Sequence, residues 1–321
     1  MRLQTHTATA FAPINIALVK YWGKRDIPLN LPVTDSLSLS AKNTGTLTQI
    51  SLASRESKIP QHEVFLNGSA VALESPFYQR LSDFLAFVAP EYNFQIQTQS
   101  DIPVAAGLAS SASGYASIVL ALNDLLEWNL SKAELSVLAR QGSGSACRSL
   151  WPGLVHWKKG IRADGMDSHG ESLDESLGPW PELSIGVILL NTDQKKVSSR
   201  EGMTHCQETS PLYKHWPALV EKDIQEALEA IHHQDFQKLG EITEHSSESM
   251  HACMRASQPT LNYSLPETFE LIHHIKLLRA EGLPVYFTQD AGPNLKILFL
   301  ESEFTNIQKK FNQLNLDFKK L

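Results

Sequence analysis

The chain lacks the markers of several protein classes. Its 321 residues hold three cysteines, Cys147, Cys206 and Cys253, widely spaced and without a C-x-x-C pair. An odd, scattered set speaks against a disulfide framework and for reduced thiols in a cytoplasmic protein. No apolar run is long enough to cross a bilayer, so no membrane partner is expected. The opening residues M-R-L-Q-T-H-T lack the apolar core of a signal peptide, which again suggests the cytoplasm. Positive charge is in deficit: 28 Lys and Arg against 35 Asp and Glu leave a net −7. That balance argues against nonspecific nucleic-acid binding. It leaves an anionic small molecule open, because a cationic pocket can sit on an acidic protein. His232, His233, His245, His251, His273 and His274 show no metal spacing such as H-E-x-x-H, and are expected at the surface or between helices. There is no internal repeat and no low-complexity tract. What remains is an ordinary globular composition, 42% hydrophobic and 20% charged, with length for about two domains.

The chain is organised around Asp101 to Ser117, D-I-P-V-A-A-G-L-A-S-S-A-S-G-Y-A-S. Before it, Phe94 and Ile96 alternate with Gln95 and Gln97, a strand pattern; after it, Ile118, Val119, Leu122, Leu125 and Leu126 repeat at helical spacing. A small-residue loop therefore opens a helix. Gly107, Ala109 and Gly114 permit close backbone approach, and Ser110, Ser111 and Ser113 add hydroxyls near the free N–H groups of the helix start. Such a start favours an anion, phosphate above all. It is neither a G-K-[ST] loop nor G-x-G-x-x-G. The same composition also suits a close-packed helix start without a ligand.

Three further segments carry charge at places where elements end. Ile14, Ile16 and Leu18 form a strand pattern that runs into Lys20, Tyr21, Trp22, Gly23 and Lys24. Two lysines and two aromatics there suit an anion pocket with one apolar wall, or a solvated surface cluster. Gln141 to Ser149, Q-G-S-G-S-A-C-R-S, again exposes backbone N–H groups, and Arg148 offers a planar fork for phosphate or carboxylate. A plain surface turn is the alternative. Val285 to Thr288 reads as a strand that ends in Gln289-Asp290-Ala291-Gly292-Pro293-Asn294. Asp290 either projects into a cleft or bonds its own turn backbone.

The rest supplies scaffold. Residues 26–34 form a proline-rich loop; Ser36, Ser38 and Ser40 alternate with Leu37 and Leu39 as one strand, and Leu47 to Leu52 continues the β pattern. Asn67-Gly68 signals a hairpin, Ser75-Pro76 a helix start, and Ser131-x-x-Glu134 a capping box. Leu183 to Leu190 reads as a strand, residues 161–181 as a loop, and long helices are expected from Leu212. Lys296 to Phe299 reads as a return strand before a last amphipathic helix.

Taken together, N-I-A-L-V-K-Y-W-G-K-R-D (15–26), A-A-G-L-A-S-S-A-S-G (105–114), G-S-G-S-A-C-R-S (142–149), V-S-S-R-E-G-M (197–203) and D-A-G-P-N (290–294) closely resemble the mevalonate diphosphate decarboxylase family of the GHMP kinase superfamily. The match spans most of the chain. The phosphate loop alone marks only the superfamily; K-Y-W-G-K and G-S-G-S-A-C-R-S are far more specific. The resemblance implies an α+β, two-domain GHMP kinase fold: a ribosomal-S5-like N-terminal domain (1–190) with a left-handed β-α-β crossover, a C-terminal α/β sandwich (191–321), and an active site in the cleft between them. A homodimer is typical of the family.

The resemblance also implies an activity: ATP and Mg²⁺ drive decarboxylation of (R)-mevalonate 5-diphosphate to isopentenyl diphosphate, through phosphorylation of the C3 hydroxyl. Ala105, Ala106, Gly107, Leu108, Ala109, Ser110, Ser111 and Ser113 would hold the ATP phosphates, with Ser111 near the transferred group or the metal. Tyr21, Lys24, Ser143, Ser145 and Arg148 would hold the substrate diphosphate and carboxylate, and Ser198 or Ser199 would line the substrate end. Asp290 would orient or deprotonate the C3 hydroxyl, with Lys20 beside it. Three departures stand out: Thr34-Asp35 for an expected Asn-Ser, Ser257-Gln258-Pro259 for a Phe-Pro-Pro region, and Gln289 for an apolar residue. Two rivals stay open. One is an enzyme of the same superfamily that stops at phosphorylation or uses the monophosphate. The other is a silent fold that only binds nucleotide or protein.

Overall fold

Alternating residues near the start build one long antiparallel pair that the rest of the molecule covers. The computed structural model describes residues 6–53, 62–101, 110–191 and 196–321. The chain opens with β1 (Thr7–Val19), followed by a small ribbon of β2 (Lys24–Asp26) and β3 (Leu31–Pro32). The two β segments expected at 36–40 and 47–52 are one strand, β4 (Ser36–Leu52), paired with β1 along its length. Then come β5 (Glu63–Leu66), β6 (Ser69–Ala70), α1 (Pro76–Val88) and β7 (Phe94–Ser100). Asn67 and Gly68 both take positive φ, 49° and 79°, which is what a tight hairpin between β5 and β6 requires. β5 and β7 pair in parallel, joined through α1.

Next are α2 (Ser110–Leu125), α3 (Lys132–Gly142), a short 3₁₀ helix (Gly144–Arg148), β8 (Gly153–Trp157), β9 (Gly170–Ser172) and α4 (Leu173–Leu177). Residues 161–181 were expected as a loop. Instead, β9 pairs with β8, and Ser172 caps α4 by accepting from the Glu175 amide. Both elements are shorter than a helical or alternating pattern can reveal. The first sheet runs β6-β5-β7-β4-β8-β9, with β1 on β4.

The second sheet begins with β10 (Leu183–Ile188). It is followed by α5 (Ser199–Thr209), α6 (Trp216–His232), α7 (Phe236–Arg255), α8 (Pro266–Ala280), β11 (Val285–Gln289), β12 (Leu295–Leu300), α9 (Phe304–Gln313) and β13 (Phe318–Lys320). Helices thus start before Leu212, at Ser199. The order is β11-β12-β10-β13, all antiparallel. The chain changes sheet between Ser172 and Leu183, ahead of residue 190, because β10 already pairs with β12 and β13.

The faces of β4 decide what each half of the molecule touches. Leu37 and Leu39 join Ile16, Leu18, Trp22, Trp216, Val220 and Ile224 in a core shared with α6 and α7. On the other face, Ser36, Ser38, Ser40, Thr46 and Thr48 are all buried. All but Ser38, whose hydroxyl has no partner among the described residues, bond onward: Thr46 Oγ1 lies 2.7 Å from Ser113 Oγ, Thr48 Oγ1 lies 2.7 Å from Ser117 Oγ, Ser40 Oγ donates to the Arg148 carbonyl and Ser36 Oγ accepts from Arg148 Nη1. Buried hydroxyls need such partners. The head of α2 and the 3₁₀ helix are therefore fastened to one strand.

Candidate active site

The end of β1 meets the turn after β11. Lys20 Nζ donates to Asp290 Oδ1 at 2.6 Å and to the Ala17 carbonyl at 3.1 Å. Lys296 on β12 reaches the other carboxylate oxygen, Oδ2, at 2.9 Å. The lysine side chains are 2% and 1% exposed and the aspartate 26%, so the carboxylate is the member of the cluster that faces out. Asp290 thus does not bond its own turn; its side chain is clamped between two ammonium groups. Burial would raise its carboxyl, but Lys20 and Lys296 outweigh burial and hold it well below the usual carboxylate range. Burial brings the Lys20 ammonium down to about 8, against the pull of Asp290 and with help from Lys296 and Arg148.

The turn that carries Asp290 is tied on several sides. Gln289 Nε2 donates to the Gly292 carbonyl at 2.8 Å and to Ser264 Oγ at 3.1 Å. Asn294 Oδ1 accepts from the Leu190 and Asn191 amides, and Thr268 Oγ1 donates to the Pro293 carbonyl. The unusual Gln289 is a buried anchor of this turn. Backbone contacts join the two halves here: Thr288 Oγ1 donates to the Ala17 carbonyl, and the Lys20 amide donates to Ser246 Oγ on α7.

Arg148 is 3% exposed. Its Nε donates to Asn15 Oδ1 at 3.0 Å and its Nη1 to Ser36 Oγ at 2.6 Å. Asn15 in turn donates to the Ser145 carbonyl and to Ser149 Oγ. Nη2 makes no hydrogen bond among the described residues, and the guanidinium carbon lies 5.8 Å from the Trp157 ring centroid. Tyr21 packs edge-on against the same Trp157, 4.7 Å between centroids. Its buried hydroxyl has no partner among the described residues. A Cβ on Gly144 would come within 2.8 Å of that hydroxyl, so glycine lets Tyr21 lie against the 3₁₀ helix. Ser143, which caps the end of α3, and Ser145 flank this glycine.

Lys24 belongs to the same neighbourhood. Its Nζ donates to Asn30 Oδ1 at 2.6 Å, and Asn30 Nδ2 donates to the Arg140 and Gln141 carbonyls at the end of α3. Burial, then the charge of Arg200, lowers the Lys24 ammonium to about 8. Arg200 also acts on Tyr21, which places it near the site. Ser198 is the N-cap of α5: its hydroxyl accepts from the Glu201 amide, and Glu201 accepts from the Ser198 amide. Ser199 starts the helix itself.

At the head of α2, Ser111 is exposed and Ser113 is buried against Thr46. Ala105, Ala106, Gly107, Leu108 and Ala109 lie outside the described residues, as does the side chain of Ser110. Among the described residues no group of three or more His, Cys, Asp and Glu side chains could hold a metal ion. No described helix is long and apolar enough to cross a membrane.

Sequence reasoning missed Asn15, Ser36, Lys296, Arg200 and His251. Asn15, Ser36 and Lys296 sit inside strands and read there as polar positions of a β pattern. Of the two places expected for His251, a surface or between helices, the surface is excluded: it is 3% exposed on α7, with Nε2 unpartnered among the described residues. Burial first, then Lys20 and Arg255, lowers its imidazole to about 4.

Residues 12–170 match a family described as the diphosphomevalonate decarboxylase-like N-terminal domain, and residues 185–319 match the mevalonate 5-diphosphate decarboxylase C-terminal domain. The diphosphomevalonate decarboxylase of Candida albicans is 36% identical over 312 residues, covering 92% of this chain and 85% of its own. The chain belongs to the mevalonate diphosphate decarboxylase family. The crystal structure of the Staphylococcus aureus mevalonate diphosphate decarboxylase superposes with a TM-score of 0.89 at 33% identity, over 98% of this chain and 95% of that one. This bears out the two-domain GHMP kinase fold. A further solved structure, of MDDEF in complex with MVAPP, AMPPCP and magnesium, is 35% identical with a TM-score of 0.88, over 98% and 96% of the two chains. The expectation of a decarboxylase of the mevalonate pathway stands, and the fold that only binds is set aside.

Proposed function

We propose that this chain uses ATP and Mg²⁺ to convert (R)-mevalonate 5-diphosphate to isopentenyl diphosphate, ADP, phosphate and CO2, with the acid–lysine cluster at Asp290 as its reacting centre. The observation that carries this reading is the Asp290 carboxylate held ionised between Lys20 and Lys296, with the Arg148 charge acting on the same cluster.

The C3 hydroxyl attacks the γ-phosphorus of ATP and loses its proton toward Asp290. A carboxylate this weakly basic suits a loose transition state, where the hydroxyl proton leaves late. Lys20 offsets charge on the transferring phosphoryl group. Phosphate is then a far better leaving group than hydroxide. As it departs it takes up the proton held by Asp290 and leaves as hydrogen phosphate, and the positive charge that grows at C3 is stabilised by the regenerated carboxylate. The C–CO2 bond breaks, its electron pair forms the alkene, and Arg148 loosens its hold on the carboxylate. Tyr21, Lys24, Ser143, Ser145 and Arg148 hold the anionic groups of the substrate. Ser198 or Ser199 lines its far end.

The hydroxyl of Ser111, exposed at the head of α2, is a hard oxygen ligand of the kind magnesium takes beside phosphate oxygens. Bound there, the metal would neutralise phosphate charge. Asp290 has both oxygens committed to lysines. Residues 105–110 and Ser113 belong to the same proposed ATP-phosphate site, with the Ser113 hydroxyl turned toward Thr46. The domain division in this reading falls where the chain changes sheet. The buried free thiols Cys147, Cys206 and Cys253 support a reducing, cytoplasmic setting. A homodimer completes the proposal, and sedimentation tests it.

The test of the reaction is product analysis. Isopentenyl diphosphate and inorganic phosphate, formed one for one with ADP, are expected. A phosphorylated acid that accumulates with ADP would instead make the chain a kinase.

A further inference from the structure

Asp290 carries one more buried cation than proton handling needs. A single lysine, Lys20, already reaches it at Oδ1. Lys296 reaches Oδ2 from β12, and both lysine side chains are buried, 2% and 1% exposed. It sits mid-strand on β12, opposite Val187 of β10 and Thr288 of β11, where an apolar residue would pack without desolvating a charge. An ammonium in that position has to be compensated by what it contacts.

We infer that Lys296 is a positioning residue for the reaction: it is the permanent counter-ion of Asp290, which frees Lys20 to turn its ammonium toward the transferring phosphoryl group. The inference rests on the role given to Asp290 above. Its physical basis is charge count. Asp290 with one lysine is neutral, and once Lys20 serves the phosphoryl group the bare carboxylate repels both that group and the substrate carboxylate. With Lys296 in place the pair left behind is neutral and the cluster with Lys20 is cationic. Oδ2 stays fixed while Oδ1 exchanges Lys20 for the C3 hydroxyl.

The charged and titratable groups that face this cluster come from every element around it. Lys20 comes from the end of β1, Arg148 from the 3₁₀ helix, His251 from α7, and Lys296 from β12. Arg255 acts through His251. Lys296 and Arg148 both push Lys20 toward its neutral form. Removing Lys296 therefore raises the Lys20 ammonium and makes Asp290 more basic, in the same direction.

The experiment compares Lys296→Met and Lys296→Gln with the unaltered enzyme, reading kcat, KM for mevalonate 5-diphosphate and the pH profile of kcat/KM. Methionine matches the volume; glutamine keeps a donor toward Oδ2 without the charge, and gives a second route where methionine disturbs the fold. A fall in kcat of about 10-fold or more is expected in both, with KM changed less, as for an interaction felt mainly in the transition state. The alkaline limb of kcat/KM, which reports the free enzyme, is expected near pH 8 from Lys20 in the unaltered enzyme and at higher pH in both variants. A residue that only packs would lower activity and leave that limb in place. An unmoved limb, or kcat within about twofold in either variant, would overturn the inference. Asp290→Asn in the same series separates the two levels. If it is inactive while the Lys296 variants behave like the unaltered enzyme, the role of Asp290 stands and the inference falls. Retained turnover in Asp290→Asn would remove both.

Discussion

Arg148 shows how much a single side chain can be prearranged. Nε and Nη1 are committed to Asn15 and Ser36, and Nη2, with the second hydrogen of Nη1, is left for a ligand. Arg148→Lys should lower kcat/KM by about 100-fold, because an ammonium cannot keep two partners and still present a planar fork. Steady-state kinetics with mevalonate 5-diphosphate would show it. Asp290→Asn keeps the shape and removes the charge. We expect normal ATP binding and a fall in kcat of several orders of magnitude, roughly 10³-fold or more, as for loss of a positioned base and its electrostatics together. Lys20, Arg148 and Asp290 were legible in the sequence because each is a charge where an element ends or among small residues. Lys296 was not. In L-K-I-L-F-L one lysine reads as the solvent side of a strand, and only the fold reveals that both faces of β12 are covered.

At the scale of elements, the substrate side is organised by loops that lock one another. Asn30 takes φ 52° in the proline-rich loop, is 3% exposed, and links Lys24 to the end of α3. Asn30→Ala should raise KM for the diphosphate substrate by about 10-fold with a smaller change in kcat, since a hydrogen bond to a charged group is worth about 1.5–3 kcal/mol. Inhibition by inorganic diphosphate should weaken in parallel. An unchanged KM would mean that Lys24 finds its position without Asn30. Hairpin, capping box and helix faces were legible because each rests on local rules. Both termini of the Ser131–Glu134 box appear as expected. The joining of two β segments into β4, the short β9 and α4, and the closing strand β13 depend on partners far along the chain. The serines of β4 are a particular case. Their alternation with leucines is visible in the sequence, but that Ser36 and Ser40 bond to Arg148 rather than to water is a tertiary fact.

For the molecule as a whole, the site exists only where the two sheets come together. Asp290 and Lys296 belong to the second sheet, and Lys20 lies at the end of the first. Buried groups at this junction make stability depend on pH. The imidazole of His251, ordinarily near 6.5, titrates near 4 in the folded chain, chiefly because it is buried. Its contribution is therefore full above pH 6.5 and is lost as pH falls toward 4, where the unfolded chain takes up a proton that the folded one refuses. The loss is on the order of 3 kcal/mol. Thermal melts between pH 7 and 4.5 should show a smaller fall in Tm for His251→Gln than for the unaltered protein. Parallel curves would remove His251 from the acid sensitivity.

The central claim, that the Asp290 cluster couples phosphoryl transfer to loss of CO2, is tested most directly by CO2 release with ATP and Mg²⁺. Mevalonate 5-diphosphate would be compared with mevalonate and its monophosphate. The account predicts CO2 from the diphosphate alone, in step with ADP. ADP without CO2, or CO2 from the monophosphate as readily as from the diphosphate, would contradict it.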